Sequence, residues 1–493
     1  MNARQIAFRL FFTCWLVFAL HFATNIVRDI YLALAIGDHL SFRVDEYAGL
    51  HPDLFEHEGY GWHTGANPGV SMIAAVPYAL ARPAIDVVVE RVNQKRKASG
   101  AEPPRYNSPW PMARELYRQA WERGYDVKFG LAAFVMQAFC MAPISALGVV
   151  AMFFLLRRLF DSERQALVLA LLYAFATPVF FRAGTLNHNM MLGHVALISF
   201  ALLWETGDQT GWAWPVRVTV AGLLAGLCLL LDYSGVFFLL GLFVYAWLRD
   251  KQLSTAVRFA AAATPPVLLL WFYQWQSFGH PFYPGQHWMP AVDWTSVEQG
   301  YRGLQLPQAR WLERLLFDPA WGLFTSCPLM LAAPAAFFVR GVRGGDLPRR
   351  ELDWSFGLCL VVYLFFSGLN YNEIMSNSGF RYLAPVLPFL FLPAAAVLRR
   401  MPPLAAWALS LASLTVSWCL AMHRDVERGL GVLDPILHVF IGGFELPALT
   451  TLSRIEGMLG EHIARGVSPL PLFALTAAAL YLIWSPRFVR SAR

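Results

Sequence analysis

Two adjacent carboxylates, Asp45 and Glu46, stand just beyond the first long apolar run, in the stretch FRVDEYAGLHPD (42–53). A carboxylate at such a boundary is partly withdrawn from water, which raises its pKa toward neutral pH. It can then accept a proton from a hydroxyl group that attacks an electrophile. The residues alone allow a second interpretation, in which the pair solvates a helix end or pairs with Arg43.

The composition indicates that lipid is the main solvent of this chain. Hydrophobic residues make up 57% of the 493 residues and charged residues only 15%, whereas soluble domains are about 25% charged. The 6 cysteines lie within apolar runs and form no CxxC pair, so they indicate buried thiols rather than disulfides or a metal site. The net charge of +6 is explained by basic loops that flank the membrane and requires no nucleic-acid partner.

The apolar runs predict an all-α polytopic membrane protein of about 12 transmembrane helices, because each crossing needs about 20 mostly apolar residues. The predicted spans are 9–28, 129–156, 165–182, 188–204, 216–231, 234–248, 257–275, 322–339, 354–369, 384–398, 403–422 and 468–485. The short loops on one side carry the arginines and lysines, which marks that side as cytoplasmic. We therefore predict a single integral-membrane domain, 1–493, with both termini in the cytoplasm and a basic tail within 468–493.

Three long loops then fall on the external side, at 29–128, 276–321 and 423–467. The first is predicted to hold two amphipathic interfacial helices, in 69–90 and 111–126, joined by a polar loop at 93–110. A crossing by 69–90 is disfavoured because an unpaired charge such as Arg82 is costly at mid-bilayer.

The polar segments of the sequence collect at the external face in this orientation. They are RVDEY and HEGYGWHTGANPG in the first loop, FRAGTLNHNMM after the third span, LLLDYSGVFF before the sixth, FGHPFYPGQHW after the seventh and NYNEIMSNSGFRYLAP before the tenth. Ionisable groups at membrane depth are costly and mark functional sites. We therefore expect one external pocket between the tops of the helices.

These segments, in this order, resemble the GT-C superfamily of integral-membrane glycosyltransferases, which includes protein O-mannosyltransferases and lipid A aminoarabinose transferases. Members carry an acidic motif at the start of the first external loop, as VDEY does here. Further similarity lies in NPGVSMIAAVPYAL, GLCLLLDYSG, SFGHPFYPG, LLFDPAWGLFTSCPLMLAAP and SGFRYLAPVLPFLFLP, within residues 8–400. The chain departs from several relatives in reading GANPGV where they have a lysine before the proline segment, and in its insertion at 91–128.

The resemblance implies a bacterial inner-membrane enzyme that transfers a sugar from a polyprenyl-phosphate donor to an envelope lipid, glycan or protein on the periplasmic face, with inversion of the anomeric centre. It implies Asp45 as the base, with Glu46 as its substitute or as a positioning group. Arg381 is the candidate contact of the phosphate, because a guanidinium binds two phosphate oxygens at once. The alternative for Arg381 is an interfacial anchor that reaches lipid headgroups.

Further residues are candidates for binding the substrate. They are His63, Arg182, His188, His280, Glu373 and Tyr382. His188 has the alternative role of a helix cap, and Asp232 is expected to be the N-cap of the sixth span rather than a site residue. Asp45, Glu46 and Glu373 leave a divalent cation open, although their spacing does not demand one.

A multi-span transporter or flippase of a lipid-linked saccharide is the main alternative function. Transporters place coupling charges at mid-membrane on broken helices and often show repeated halves. In this chain the charges collect at one face, and the two halves do not match. A catalytically inactive scaffold for envelope assembly is a further alternative that the residues leave open.

Overall fold

The computed structural model describes most of the chain, in the ranges 2–25, 27–160, 162–204, 211–290, 304–338, 348–369, 381–425, 431–457 and 467–485. The helices of the first half are α1 (Ala3–Leu20), α2 (Arg28–His39), α3 (Gly69–Ser99), α4 (Pro111–Glu122), α5 (Asp126–Met136), α6 (Ala142–Leu159), α7 (Glu163–Phe175), α8 (Val179–Arg182), α9 (His188–Leu203), α10 (Trp214–Leu231) and α11 (Gly235–Asp250). Those of the second half are α12 (Leu253–Phe278), α13 (Ala309–Phe317), α14 (Leu323–Ser326), α15 (Ala332–Ala335), α16 (Arg349–Ser367), α17 (Leu387–Leu398), α18 (Pro403–Met422), α19 (Leu433–Gly442), α20 (Pro447–Ser453) and α21 (Leu470–Trp484).

An antiparallel hairpin in the first loop departs from the all-α prediction. Its strands are β1 (Leu54–His57) and β2 (Gly61–Thr64), paired from Leu54 opposite Thr64 to His57 opposite Gly61. Gly61 has a φ of 90°, and a Cβ at this position would overlap the side chains of Arg43 and Asp45. The hairpin therefore packs its turn directly against the segment that carries the predicted acidic pair.

Within the described ranges, 6 helical segments are long and apolar enough to cross a membrane, compared with about 12 predicted spans. They are Ala3–Leu20, Gly69–Ser99, Asp126–Leu159, Trp214–Leu231, Leu253–Phe278 and Pro403–Met422. The bent pair α19 and α20 would add a seventh. Three other predicted spans correspond to shorter apolar helices, at His188–Leu203, Ala384–Leu398 and Leu470–Trp484.

Three predicted spans are interrupted in the structure. The predicted span 9–28 is too long, because α1 and α2 are separate helices joined by a linker. The span 165–182 divides into α7 and α8, and the span 322–339 divides into α14, a tight 3₁₀ turn and α15. The breaks fall at Pro178 and Pro328, where the ring removes the N–H group that a continuing helix would use.

α3 is one continuous helix of 31 residues that passes through Pro77 and Pro83. It extends into the segment predicted as a polar loop and ends at Gly100, whose φ is 61°. Nε of Arg82 lies 3.2 Å from Oδ1 of Asp38. The arginine that argued against a crossing by this segment is therefore paired, and α3 is apolar enough to span a bilayer.

α10 packs against α12 through two glycines four residues apart. A Cβ at Gly222 would overlap the carbonyl oxygen of Phe259, and a Cβ at Gly226 would overlap that of Ala263. Small residues at this spacing let the backbones of two membrane helices approach closely. This contact sets the position of α10, whose carboxyl end leads into Asp232.

α9 lies at the centre of the helical bundle. Every residue from His188 to Leu197 is buried, and the helix packs against α6, α10 and the 3₁₀ turn at 384–386. A helix that is apolar on all sides is stable only in such an interior position. Because His188 is its first residue, the packing of α9 determines where this side chain lies.

Candidate active site

Three helix ends meet around the side chain of His188. Asp29 belongs to the first turn of α2, His188 begins α9, and Asp232 follows α10. Nδ1 of His188 lies 3.7 Å from Oδ2 of Asp29, and Nε2 lies 3.6 Å from Oδ2 of Asp232. The imidazole therefore stands between two carboxylates from distant parts of the sequence. Asp29, His188 and Asp232 form the Asp29 cluster.

Asp232 forms the turn between α10 and α11 and also faces the cluster. Its Oδ1 accepts hydrogen bonds from the N–H and the hydroxyl of Ser234, at 2.8 and 2.6 Å. The N-cap position of α11 is Ser234, so the predicted cap was placed two residues early. Oδ2 of Asp232 lies 3.6 Å from Nε2 of His188, so Asp232 belongs to the Asp29 cluster as well as to the turn.

The carboxylate of Asp29 is buried. The residue is 3% exposed, and its Oδ1 has no hydrogen-bond partner within the described ranges. Burial alone would raise the pKa of Asp29, but the neighbouring His188 and the charges of Arg28 and Arg381 lower it below its ordinary value. The carboxylate is therefore ionised at neutral pH and able to accept a hydrogen bond or a proton.

Two arginines supply positive charge next to Asp29. Nη1 of Arg28 lies 3.0 Å from Oδ2 of Asp53. Burial would raise the pKa of Asp53, but Arg28, His51 and Arg381 lower it. Burial also lowers the pKa of His51, and both arginines act in the same direction. Fixed cations beside ionised carboxylates are an arrangement that suits an anionic ligand, since charge-assisted hydrogen bonds are the strongest available.

The predicted acidic pair lies in the turn beyond α2 and has other partners. Oδ2 of Asp45 lies 2.8 Å from Nη2 of Arg43, and Oδ1 accepts a hydrogen bond from the N–H of Trp62 at 2.7 Å. Glu46 lies 3.6 Å from Nε2 of His39. Asp45 therefore pairs with Arg43, as the alternative to a catalytic role predicts. Both of its carboxylate oxygens contact neighbouring groups.

Glu46 also belongs to a group that could hold a metal ion, together with Asp38 and His39. Their ligand atoms lie within 4.8 Å of one another. Asp38 already contacts Lys128 at 2.7 Å and Arg82 at 3.2 Å. Because two cations neutralise this carboxylate, it is a poor ligand for a third.

His63 is buried in the hairpin and joins it to the preceding loop. Nδ1 lies 3.1 Å from the carbonyl oxygen of Phe42, and Nε2 lies 3.1 Å from that of Tyr60. Burial lowers the pKa of His63, and the two carbonyls oppose this only in part. His63 is therefore neutral at pH 7, and its contacts are structural.

We expect His63 to make the protein less stable in acid. The unfolded chain binds a proton at the ordinary histidine value of about 6.5, whereas the buried ring resists protonation. The contribution of His63 to stability is therefore complete above that pH and is lost as the pH falls toward the lower folded value. The unfolding temperature, measured from about pH 7.5 to about pH 5, should fall more steeply in the wild type than in His63→Gln. If the unfolding temperature fell equally steeply in both proteins, the folded wild type would accept a proton at His63 as readily as the unfolded chain does.

His280 lies in a partly exposed aromatic stack after α12. Its ring stacks on Tyr283 with centroids 4.2 Å apart, and Tyr283 stacks on His287 at 4.6 Å. Trp288 continues the contact to His57 of β1, at 4.7 Å. Of the predicted histidines, His188 is the one that the structure brings to Asp29, whereas His63 and His280 belong to the hairpin and its flanking stack.

The other predicted binding residues differ in their surroundings. Arg182 is fully buried in α8, with its guanidinium 4.9 Å from the centroid of the preceding phenylalanine ring. Tyr382 follows Arg381 in the chain. Its ring stacks on that of Phe366, with the centroids 5.0 Å apart. Glu373 lies outside the described residues. Its role in substrate binding, and a divalent cation held by Asp45, Glu46 and Glu373, therefore stay predictions.

Solved structures resemble the chain over nearly its whole length, whereas no protein-family model and no curated protein matches it. The crystal structure of ArnT from Cupriavidus metallidurans in the apo state aligns with 96% of this chain and 73% of that chain, at a TM-score of 0.50 and 15% sequence identity. ArnT is a lipid A aminoarabinose transferase of the GT-C superfamily. The chain shares the fold of this ArnT structure. The structure of ArnT from Cupriavidus metallidurans bound to undecaprenyl phosphate aligns with 97% of this chain and 75% of that chain, at a TM-score of 0.49 and 15% identity.

The candidate site includes residues that were not among the predicted site residues. Arg28, Asp29 and Asp53 were assigned to the end of the first span or to its external loop. A signal was present, because the apolar run breaks at Thr24 and Asn25 and, after two further apolar residues, an arginine and an aspartate follow. The predicted span 9–28 ran past this boundary, so Asp29 was placed at the edge of a span and not in a site.

Proposed function

We propose that this protein is a glycosyltransferase that moves a sugar from a polyprenyl-phosphate donor to a hydroxyl group of an envelope lipid, glycan or protein. The observation that carries the proposal is the buried carboxylate of Asp29, which has one oxygen without a partner in the described ranges and lies beside His188. The GT-C fold supports the reaction class. The sequence motifs that resemble GT-C enzymes support the donor class.

Asp29 is the proposed base. Its carboxylate accepts the proton of the acceptor hydroxyl as that oxygen attacks the anomeric carbon. The new carbon–oxygen bond forms while the bond between the anomeric carbon and the phosphate oxygen breaks, so polyprenyl phosphate departs with the bonding electrons. One displacement at this carbon inverts its configuration. The proton on Asp29 then passes to water, and the carboxylate is restored.

The leaving phosphate needs positive charge, which Arg28 and Arg381 are proposed to supply. Both act electrostatically on Asp29 and Asp53. The amino ends of α2 and α9 also lie at the cluster, and helix amino ends favour anions. Charge that develops on the phosphate would therefore be stabilised by groups already fixed before the reaction.

His188 is proposed to position Asp29 rather than to exchange protons with the acceptor. It lies between Asp29 and Asp232, at 3.7 and 3.6 Å, and so keeps the two carboxylates apart. Asp232 then holds the ring from the opposite side. We further propose that this site faces the periplasm and that the polyprenyl chain lies along the bundle in lipid.

A donor-binding experiment tests the proposal. We expect Arg381→Gln to raise the KM for polyprenyl-phosphate sugar about tenfold or more, because a charge-assisted contact to phosphate contributes about 1.5 to 3 kcal/mol. The exposed Arg105 offers a matched control, and Arg105→Gln should leave KM unchanged. Undecaprenyl phosphate can serve as the competing ligand.

The transporter alternative makes a different prediction for the same proteins. Proteoliposomes that move a lipid-linked saccharide or a solute across the bilayer, without cleaving the donor, would support transport. Equal donor affinity in the wild type and Arg381→Gln would contradict the role proposed for this arginine.

A further inference from the structure

A second cluster of metal-ligating side chains lies where α18 ends and α19 and α20 begin. It consists of His423 at the end of α18, His438 in α19 and Glu445 between α19 and α20. Nδ1 of His423 lies 3.1 Å, and Nε2 of His438 lies 3.4 Å, from Oε1 of Glu445. The ligand atoms all lie within 4.8 Å of one another. These three residues form the His423 cluster, and the proposed transfer reaction does not use them.

We propose that the His423 cluster binds one divalent transition-metal ion of the zinc class. A tetrahedral zinc ion, at about 2.0 to 2.1 Å from each ligand, places the ligand atoms about 3.3 Å apart. The distances of 3.1 and 3.4 Å agree with that separation. Two imidazoles and one carboxylate are a ligand set that zinc sites use with water in the fourth position.

Two of the three proposed ligands, Glu445 and His423, have a polar side chain near the atom that would not bind the ion. The hydroxyl of Thr450 donates to Oε2 of Glu445 at 3.0 Å, which leaves Oε1 toward the two histidines. Nε2 of His423 is buried and has no hydrogen-bond partner within the described part of the chain. Oδ2 of Asp434 lies 3.8 Å from this nitrogen. A metal-bound histidine usually turns its second N–H toward such a carboxylate.

The local sequence explains why these groups converge. Asp434 and His438 are four residues apart and therefore lie on the same face of α19. Gly443 has a φ of 93°, a conformation that glycine adopts readily, and it turns the chain after α19 so that Glu445 approaches His438. The side chain of His438 is half exposed, which gives water and an ion access to the cluster.

A bound ion would join three segments, and one of them is bonded to the linker before α2. Arg424 follows His423 directly and bonds to the side chains of Thr451 and Asn25. Asn25 belongs to the linker that leads into Arg28. The ion therefore has a structural role, in which it orders the segment that supports the start of α2.

Zinc binding by purified, tag-free, full-length protein in detergent tests the proposal. After treatment with EDTA, zinc is titrated by calorimetry and bound zinc is counted by mass spectrometry. We expect one ion per chain, and at least tenfold weaker binding in His438→Gln and in Glu445→Gln. His39→Gln is the matched control, since His39 is an exposed histidine of the group that includes Asp38, and it should bind zinc as the wild type does.

A thermal melt provides a second measurement. Zinc should raise the unfolding temperature of the wild type and of His39→Gln, and it should have little effect on His438→Gln, because a ligand stabilises only a fold that binds it. No bound zinc in the wild type, or equal affinity in His438→Gln, would overturn the proposal. Loss of zinc only from His39→Gln would place the ion in the other group and overturn it too. These measurements do not depend on sugar transfer, so either proposal can fail without the other.

Discussion

Replacing Asp29 with asparagine should slow sugar transfer by a factor of about 10² to 10⁴, the range that a positioned general base contributes. Asparagine keeps the shape of the side chain but cannot accept the acceptor proton. The donor binds through Arg28 and Arg381 in the proposed site, so its KM should change little. The expected pattern is a loss of kcat at nearly constant KM, measured with radiolabelled donor and purified protein.

Asp45→Asn is the matched control for this loss. Asp45 is also an aspartate of the first loop, but its oxygens contact Arg43 and the N–H of Trp62. We expect its transfer rate to stay within about threefold of the wild type, as for a substitution outside the reacting groups. If Asp45→Asn lost transfer and Asp29→Asn retained it, the base would be Asp45, as the motif resemblance implies, and the assignment of Asp29 would be wrong.

We expect Gly226→Leu to lower the free energy of unfolding more than any other substitution proposed here. A side chain at this position would meet the backbone of α12 at Ala263, and backbone cannot move aside as a flexible side chain can. Overpacking of this kind costs about 3 kcal/mol. The leucine should push α10 away from α12 and so displace Asp232, which follows α10. The variant should therefore transfer sugar more slowly. Thermal unfolding in detergent and the transfer assay measure the two effects.

Gly357→Leu provides the comparison for the same substitution. Gly357 lies in α16, and a Cβ there would meet open space. We expect a change in the free energy of unfolding within about 0.5 kcal/mol, as for most surface substitutions. Similar losses in both variants would mean that leucine disturbs these helices for reasons other than the contact with α12.

Apolar length predicted the helices whose sequence runs without interruption. The predicted span 403–422 coincides with α18, and 216–231 differs from α10 by two residues at its start. The rule was wrong where proline divides an apolar run, as at Pro178 and Pro328. The prediction for 69–90 also treated Arg82 as unpaired. Its Nε lies 3.2 Å from Oδ2 of Asp86, four residues on in the same helix, and 3.2 Å from Oδ1 of Asp38 in α2, and no local pattern identifies the second of these contacts.

The sequence singles out some residues of the candidate site and not others. The reason is again that contacts between distant parts of the chain leave no local pattern. His188 and Arg381 stand out because each is a polar residue at the edge of an apolar run. Asp29 also follows an apolar run, but its importance depends on its contact with His188, and that of Asp53 depends on its ion pair with Arg28. Such contacts join residues that are far apart in the chain, and the sequence does not encode them as spacing.

The most direct test of the central claim is product analysis with the wild-type protein. Purified protein would be incubated with a panel of polyprenyl-phosphate sugars and extracted envelope lipids, and the products analysed by mass spectrometry and NMR. The proposal predicts a new glycoside with inverted anomeric configuration and release of an equal amount of polyprenyl phosphate. If no donor were consumed, while the same protein moved a saccharide or solute across proteoliposomes, the glycosyltransferase proposal would be contradicted.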